Sequence, residues 1–343
     1  MVRTVVLPDP APALTHSNGA SLVTAARCAS VRQDRSRSRA EAAIGRRYRG
    51  AVTVRWIPEA PARPTAGSPT VPKRRPGPPV AWPAVLRTLA GGTLFGEVWG
   101  TLPARVLALH GWARTHADFV PVFDSAGLDV VAPDLPGFGA TPPPPEPWGS
   151  DDYAAALEGL FAPAPDPSLG GSAALHAPVV VLGHSFGGRV AVRLAVARPD
   201  LVAGLVLTGV PLLPRPGRPR RAPLAYRAVR TMRRARLVSQ ARLDDARQRH
   251  GSPDYRAAQG VMRAVLVRVV GERYETELAA LRCPVELVWA DDDTEAPLTV
   301  AEQAAALIPR AVLRRCGDVG HLTPLTAPAA LRAAVERVLV TAG

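Results

Sequence analysis

The residues best suited to chemistry in this 343-residue sequence lie in the run 183–188, Gly-His-Ser-Phe-Gly-Gly. Four apolar residues, 179–182, lie between Pro178 and this run, and apolar residues at helical spacing follow it up to Pro199. A short apolar run suits a buried parallel strand, and the spacing after it predicts a helix. Ser185 would therefore lie on a turn between a strand and a helix, which is the context of a nucleophile in Gly-x-Ser-x-Gly. The spacing does not match the Gly-x-Gly-x-x-Gly of a dinucleotide-binding loop.

The predicted turn would itself assist chemistry at Ser185. A sharp turn from strand to helix forces its central residue into a strained backbone conformation. Gly183 and Gly187 have no Cβ, so neighbouring backbone can come close on both sides of the serine. The hydroxyl group would lie at a helix N-terminus, where free N–H groups and the helix dipole favour developing negative charge. We therefore predict that Ser185 is a nucleophile.

A serine nucleophile needs a base, and the sequence contains seven histidines. His321 stands in a loop that follows the last predicted strand, Val312–Arg314, and precedes a predicted helix. Open α/β sheets place their sites in loops at the carboxyl ends of parallel strands. We predict that His321 removes the proton of Ser185. His184, the neighbour of the serine, is expected to pack behind the turn.

The base needs an acid to orient it, and residues 289–297, Trp-Ala-Asp-Asp-Asp-Thr-Glu-Ala-Pro, offer four carboxylates at the end of a predicted strand. Asp291, Asp292 and Asp293 are consecutive, so their side chains point in different directions. The oxygen ligands of a metal ion are instead spaced around a loop. We therefore expect no metal at this site, and a serine nucleophile with its base and acid implies no organic cofactor. Position alone leaves open which aspartate pairs with His321.

The elements that must position these residues alternate between strands and helices. A hairpin is predicted over 85–99, and strands and helices then follow one another to the end of the chain. This alternation argues for a mostly parallel, doubly wound α/β sheet with helices on both faces. The predicted strands after the hairpin are Val106–Leu109, Leu128–Ala132, Val179–Leu182, Leu201–Leu207, Val285–Trp289 and Val312–Arg314, and predicted helices include Asp151–Phe161, Leu298–Leu307 and Ala329–Leu339.

Residues 211–280 interrupt the alternation before the strand that leads to the aspartates. The segment begins with five prolines, is helical in character, and contains sixteen arginines against six acidic residues. An insertion of this length between two strands is typical of a lid over the strand ends. The arginine excess would suit an acidic substrate, but a solvated helix surface in an arginine-biased protein is the favoured interpretation.

Residues 1–82 differ in composition from the rest of the chain. They contain fourteen basic and four acidic residues and an Arg/Ser run at 32–39, and nine prolines lie between 58 and 83. Such a composition buries too little apolar surface to offset the entropy of ordering. We predict a disordered basic leader or tail, with a transit-like segment or sequence upstream of the true start as alternatives. The folded domain would then span 83–343, with 211–280 as its lid.

The net charge of +13 is concentrated in these two arginine-rich regions. Lys73 is the one lysine, and so uniform a bias indicates a GC-rich coding sequence more than selection for phosphate contacts. No nucleic-acid partner is therefore expected. Three scattered cysteines favour a reducing compartment, and no apolar run is long enough for a transmembrane helix. We expect a cytoplasmic protein, and its oligomeric state is left open.

Five motifs, in this order, resemble those of the α/β-hydrolase superfamily over about residues 85–341. They are His-Gly-Trp at 110–112, Asp-Leu-Pro-Gly-Phe-Gly at 134–139, and the runs 183–188, 289–297 and 320–321. The order Ser, Asp, His along the chain is also that of the family. We interpret the motif at 134–139 as a structural turn in which the aspartate is hydrogen-bonded locally.

The resemblance implies roles that the residues alone left open. The acid of the family lies in a Trp-Gly-x-x-Asp-x-x-x-Pro stretch, which corresponds to Asp293. Ala290 replaces the usual glycine, and Asp291 is the alternative. The oxyanion hole of the family corresponds to the backbone N–H groups of Trp112 and Phe186.

The activity implied is that of a serine hydrolase acting on a small acyl substrate. An ester, thioester or lactone would be cleaved through an acyl-enzyme. Carbon–carbon bond hydrolases and cofactor-free perhydrolases keep the same three residues and are alternatives. A non-catalytic small-molecule binding protein on this fold is an alternative of another class.

Overall fold

The structure, a computed structural model, describes residues 87–162, 173–214, 224–239, 241–243, 245 and 252–342. The predictions for residues 1–82, and those for parts of the segment 211–280, lie outside the described residues. The strands are β1 Arg87–Leu89, β2 Leu94–Trp99, β3 Ala104–Leu109, β4 Val130–Asp134, β5 Leu175–His184, β6 Val202–Thr208, β7 Val285–Trp289 and β8 Ala311–Arg315.

The α-helices of the described residues flank these strands in sequence. Short 3₁₀ turns lie at Ala90–Gly92, His116–Phe119 and Glu158–Phe161. The helices are α1 Val120–Phe123, α2 Ser150–Leu157, α3 Phe186–Ala197, α4 Leu224–Arg234, α5 Pro253–Ala257, α6 Gly260–Val270, α7 Glu275–Ala280, α8 Leu298–Leu307, α9 Thr323–Thr326 and α10 Pro328–Ala342.

The eight strands form one sheet in the order β1-β2-β4-β3-β5-β6-β7-β8. The pairs β1–β2 and β2–β4 are antiparallel, and the other pairs are parallel. After β3 the chain turns to β4 on one side, then returns to β5 on the other side. This reversal separates the loops that follow β3 and β5, and it creates the crevice in which open α/β sheets bind ligands.

Both faces of the sheet are covered because its apolar residues alternate between them. In β5, Val179 and Val181 belong to a buried cluster that includes residues of α2 and α3. Val180 and Leu182 belong to a second cluster, which includes residues of α1 and α10. A strand buried on both faces reads as a continuous apolar run, so the sequence pattern and the doubly wound sheet agree.

The predicted element types are confirmed, but several boundaries differ. β5 begins at Leu175 and runs through Pro178, because Leu175 pairs with Ala104 of β3 across a register shift. The helix predicted over 151–161 ends as α2 at Leu157 and continues as a 3₁₀ turn. The helix predicted over Leu298–Leu307 has those bounds in the structure.

Helices α4 to α7 all lie between β6 and β7 in the chain. The sheet is therefore interrupted by a helical segment just before the strand that leads to the aspartates, as predicted. No described helix is both long enough and apolar enough to cross a membrane.

Candidate active site

Ser185 lies at the junction of β5 and α3 in a strained backbone conformation. Its φ of 49° and ψ of −114° are unusual for a residue with a Cβ and cost about 1–3 kcal/mol. Its amide donates a hydrogen bond to Thr208 O at 3.0 Å, and its carbonyl accepts one from Gly188 N at 3.1 Å. These bonds tie the turn to the neighbouring strand and to the first turn of the helix.

The glycines around Ser185 allow the backbone to come closer than any side chain would permit. A Cβ on Gly187 would lie 2.2 Å from Leu109 O, and a Cβ on Gly183 would lie 2.5 Å from Gly188 Cα. Both obstacles are backbone atoms, so no side-chain rotation could relieve the overlap. The sequence-based reason for glycine at these two positions is confirmed.

His321 lies between Ser185 and Asp293. Its Nε2 is 3.1 Å from Ser185 Oγ, and its Nδ1 is 2.9 Å from Asp293 Oδ2. A carboxylate can only accept, so Nδ1 carries the hydrogen and Nε2 is left to accept from the serine hydroxyl. The side chains of His321 and Asp293 are 11% and 1% exposed. This geometry can pass a proton from the hydroxyl group to the imidazole.

The carboxylate of Asp293 is held in its charged form. Burial raises its pKa, but the hydrogen bond from His321 and those from the amides of Ala296 and Glu295 outweigh burial, so the pKa is lowered. Both amides donate to Oδ1 at 2.8 Å. Because they occupy Oδ1, the other oxygen is directed at the imidazole.

The three consecutive aspartates have three different partners. Asp291 pairs with Arg315 of β8, whose hydrogen bond lowers the pKa of Asp291. Asp292 Oδ1 accepts a hydrogen bond from Gly320 N at 2.7 Å. The structure thus brings Asp293, and not Asp291, to the imidazole.

His184 packs behind the turn, as predicted, and it also binds the backbone of the base. Its Nε2 donates to His321 O at 2.9 Å, and the two rings lie 5.0 Å apart. Burial, with a smaller contribution from the neighbouring His321, lowers the pKa of His184 to about 4. His184 is therefore neutral near pH 7 and does not oppose positive charge on His321.

The loop after β3 brings the Trp112 amide to the same crevice. The loop is held by the side chain of His110. Its Nδ1 donates to Gly111 O at 2.8 Å, and its Nε2 accepts from Leu135 N, just after β4, at 2.9 Å. The Trp112 N–H makes no hydrogen bond with the described residues. The Phe186 N–H begins α3 and has no partner within that helix. Both donors belong to residues that line the cleft beside the serine.

A cleft of about 760 Å³ opens at Ser185. Its lining includes Trp112 of the loop after β3 and Leu266 and Val269 of α6. Mostly apolar walls around a few polar groups suit a small organic ligand.

Comparison with known proteins shows the family to which the chain belongs. The profile of the alpha/beta hydrolase family matches residues 106–334, about two thirds of the chain. The chain belongs to the alpha/beta hydrolase family. All five candidate residues, Trp112, Ser185, Phe186, Asp293 and His321, lie inside the matched range.

Several esterases and lipases are similar to this alpha/beta hydrolase. Lipase LipV of Mycobacterium tuberculosis is 43% identical over 112 residues, which cover 31% of this chain and about a third (36%) of LipV. The pimeloyl-[acyl-carrier protein] methyl ester esterase of Aromatoleum aromaticum is 30% identical over 266 residues, 68% of this chain and 97% of that protein. A thermophilic esterase from Thermogutta terrifontis has the same fold, with a TM-score of 0.52 and 24% identity over 76% of this chain and 98% of its own.

The carboxylate of Asp134 in the turn motif is held by three hydrogen bonds, one of them local as predicted and two from the loop after β3. Asp134 accepts hydrogen bonds from the His116 amide at 2.9 Å, from His116 Nδ1 at 2.8 Å and from the Ala140 amide at 3.0 Å. A Cβ on Gly139 would overlap this carboxylate at 2.0 Å. Among the described residues, no group of three or more His, Cys, Asp or Glu side chains could hold a metal ion.

Two residues at the site escaped the sequence reasoning. Arg189, one helical turn after Ser185, donates to Pro211 O at 2.6 Å and to Val269 O at 2.5 Å, so it joins α3 to the helical segment. Glu295 lies with its Oε2 3.5 Å from His321 Nε2. Two sequence features could have identified them. Arg189 lies one helical turn after the serine, and Glu295 belongs to the run 289–297 that supplies the acid.

Proposed function

We propose that this protein is a serine hydrolase that cleaves an ester, thioester or lactone of a small acyl substrate through an acyl-enzyme. The observation that carries the proposal is the chain of hydrogen bonds from Ser185 Oγ through His321 to Asp293, at 3.1 Å and 2.9 Å. The cleft at the serine has room for an acyl group. The names of the two sequence relatives, a lipase and a methyl ester esterase, favour ester hydrolysis over carbon–carbon cleavage or perhydrolysis.

In the proposed acylation step, Ser185 Oγ attacks the carbonyl carbon while His321 Nε2 takes its proton. Asp293 keeps the Nδ1 tautomer in place and stabilises the imidazolium that forms. Nε2 then gives the proton to the leaving oxygen or sulfur as its bond to carbon breaks. A water molecule, deprotonated by Nε2, releases the acid and restores the serine.

The oxyanion of each tetrahedral intermediate would be bound by the amides of Trp112 and Phe186. Backbone donors of this kind are in place before charge develops, and losing one costs about 2.7–4 kcal/mol. The buried His110 supports the Trp112 amide, because one of its ring nitrogens is hydrogen-bonded to Gly111 of the same loop and the other to Leu135 of the loop after β4.

A complete chain of base and acid argues against the binding-protein alternative, because a non-catalytic protein on this fold would often have lost it. The test is Ser185→Ala against p-nitrophenyl acetate and butyrate. We expect kcat/KM to fall about 10⁴-fold or more, because the nucleophile is removed. A fluorophosphonate probe should label wild type and leave Ser185→Ala unlabelled.

Ser252→Ala is the matched control. Ser252 lines the same cleft, but its Oγ accepts from Tyr255 N and caps α5. Its loss should leave the labelling intact and the ester turnover close to wild type. Full turnover by Ser185→Ala, or a probe attached to another residue, would overturn the proposal.

A further inference from the structure

Glu295 is a charged residue beside the catalytic imidazole that the mechanism above does not use. Its amide donates to Asp293 Oδ1, but its side chain turns to the opposite edge of the imidazole. Oε2 lies 3.5 Å from His321 Nε2, and the side chain is 68% exposed and lines the cleft. His321 is therefore flanked by a carboxylate at each ring nitrogen, one buried and one facing the cleft.

The position of Oε2 matters because Nε2 handles two different protons. It takes the first from Ser185 and the second from the water that releases the acyl group. A general base acts within about 2.6–3.2 Å of the proton donor. Because Oε2 and Nε2 are 3.5 Å apart, a single water molecule can lie within hydrogen-bond distance of both atoms.

We propose that Glu295 is a positioning residue for the hydrolytic water, an inference that rests on the acyl-enzyme function proposed above. The water donates one hydrogen bond to Glu295 Oε2 and gives its other proton to His321 Nε2. Its oxygen forms a bond to the acyl carbon, and the carbonyl electron pair moves to the oxyanion. The pair then returns, the bond from carbon to Ser185 Oγ breaks, and Nε2 gives its proton back to Oγ.

Acylation and deacylation differ in how the proton donor is held. In acylation the proton donor is Ser185 itself, which the strained turn and the hydrogen bond to His321 already hold. In deacylation the donor is a mobile molecule that no covalent bond holds. Glu295 should therefore affect deacylation more than acylation.

Water and alcohols differ as acyl acceptors in the number of hydrogen bonds that they can donate at this site. Water has two hydrogens and can bond to Oε2 and Nε2 together. Methanol has one O–H hydrogen, so it can donate to Nε2 only. Glu295 should thus favour hydrolysis over transfer of the acyl group to an alcohol.

The experiment measures how the acyl group of p-nitrophenyl butyrate is divided between water and about 1 M methanol. The ratio of methyl butyrate to butyric acid is determined for wild type, Glu295→Ala and Glu295→Gln. We expect the ratio to rise about fivefold in Glu295→Ala, because a hydrogen bond that only water can make is lost. Glu295→Gln keeps a weaker acceptor, so its ratio should lie between those of wild type and Glu295→Ala.

Asp254→Ala is the matched control. Asp254 also lines the cleft and also loses a carboxylate, but none of its described contacts is with His321. Its product ratio should equal that of wild type. A general loss of basicity at His321 would slow water and methanol alike, so it would leave the ratio unchanged.

The failures of the two proposals are distinguishable. If wild type shows no Ser185-dependent turnover, the serine hydrolase function itself is wrong. If that turnover is present and Glu295→Ala divides the acyl group as wild type does, only the role of Glu295 is wrong. A complete loss of activity in Glu295→Ala would also overturn this role, because acylation should survive.

Discussion

The carboxyl edge of the sheet and the helices between β6 and β7 meet at the cleft but are built differently. At the sheet edge, Ser185 follows a central strand, and the side chains of Asp293 and His321 are almost fully buried. In the helical segment, Val267 and Val270 of α6 are 44% and 66% exposed. One region holds its reactive groups among buried residues, and the other contributes apolar side chains to the same space, of which Leu266 and Val269 are buried and Val270 is exposed.

The attachments of the two regions also differ. The sheet edge is held by apolar packing on both faces and by parallel strand pairing. The helical segment shares the apolar cluster of α3 through Val265, Val269 and Leu278. It is bound to α3 by polar contacts as well, since Arg189 donates to two of its carbonyls and Arg193 pairs with Glu277 and lies over the Tyr274 ring at 4.7 Å. Substitutions in the first region should change kcat, and substitutions in the second should change KM and the choice of substrate.

The largest expected effect tests the sheet edge. Asp293→Asn should keep the fold and lower kcat by about 10³–10⁴-fold, because the amide no longer favours the tautomer in which Nε2 is the acceptor. Steady-state kinetics with p-nitrophenyl butyrate measures this change.

Asp291→Asn is the control from the same loop. It removes the partner of Arg315, a contact at the exposed side of β8, so kcat should change less than threefold. Equal losses in the two variants would mean that the loop acts as a unit and that His321 is not oriented by one carboxylate.

Two buried histidines at the sheet edge should make the fold less stable in acid. Burial lowers the pKa of His184 and of His110 to about 4, from 6.5. Between those two values the unfolded chain binds protons that the folded chain does not, so the free energy of unfolding falls as the pH falls. One such histidine costs about 2 kcal/mol at pH 5 relative to pH 8.

His184→Gln isolates this contribution, because glutamine can still donate to His321 O but does not titrate. Urea unfolding at pH 8, 6.5 and 5 should show a smaller loss of stability in His184→Gln than in wild type. His116 has a raised pKa and stabilises the fold below that value, so His116→Gln should shift the pH dependence in the opposite direction. Parallel pH curves for wild type and His184→Gln would show that the buried histidine is not the source.

The smallest effect tests the attachment of the helical segment. Arg189→Met keeps much of the apolar stem but leaves Pro211 O and Val269 O without their donor. We expect KM for a longer ester, p-nitrophenyl octanoate, to rise about fivefold while kcat changes less than twofold, since loss of one such hydrogen-bonded contact costs about 1 kcal/mol. Thermal unfolding followed alongside separates this effect from global instability.

Arg198→Met is the matched control, because Arg198 directly follows the same helix, α3. Arg198 pairs with Asp200 and Glu158, away from the cleft, so KM should be unchanged. If Arg189→Met lowered kcat as strongly as it raised KM, the division of kcat to the sheet edge and KM to the helical segment would be wrong.

Much of the framework could be predicted because its causes are local. The apolar run 179–182 identifies a strand buried on both faces, and the glycines at 183 and 187 mark a turn where backbone passes within 3 Å of a would-be Cβ. Helix Leu298–Leu307 was predicted with its observed bounds for the same reason. The start of β5 was missed because pairing of Leu175 with Ala104, seventy-one positions earlier in the chain, extends the strand through Pro178.

The sequence by itself determined the order of strands and helices, the turn at Ser185 and the short set of groups that could serve it, since these depend on side-chain period and on the absence of a Cβ. Only the tertiary structure decided which carboxylates reach His321. Arg315 on a neighbouring strand holds Asp291, two amides turn Asp293 toward Nδ1, and the loop carries Glu295 to Nε2. Arg315 and His321 are distant in the chain from the carboxylates that they contact, so residue spacing alone does not give these contacts; the family motif pointed to Asp293 but not to the contacts that select it.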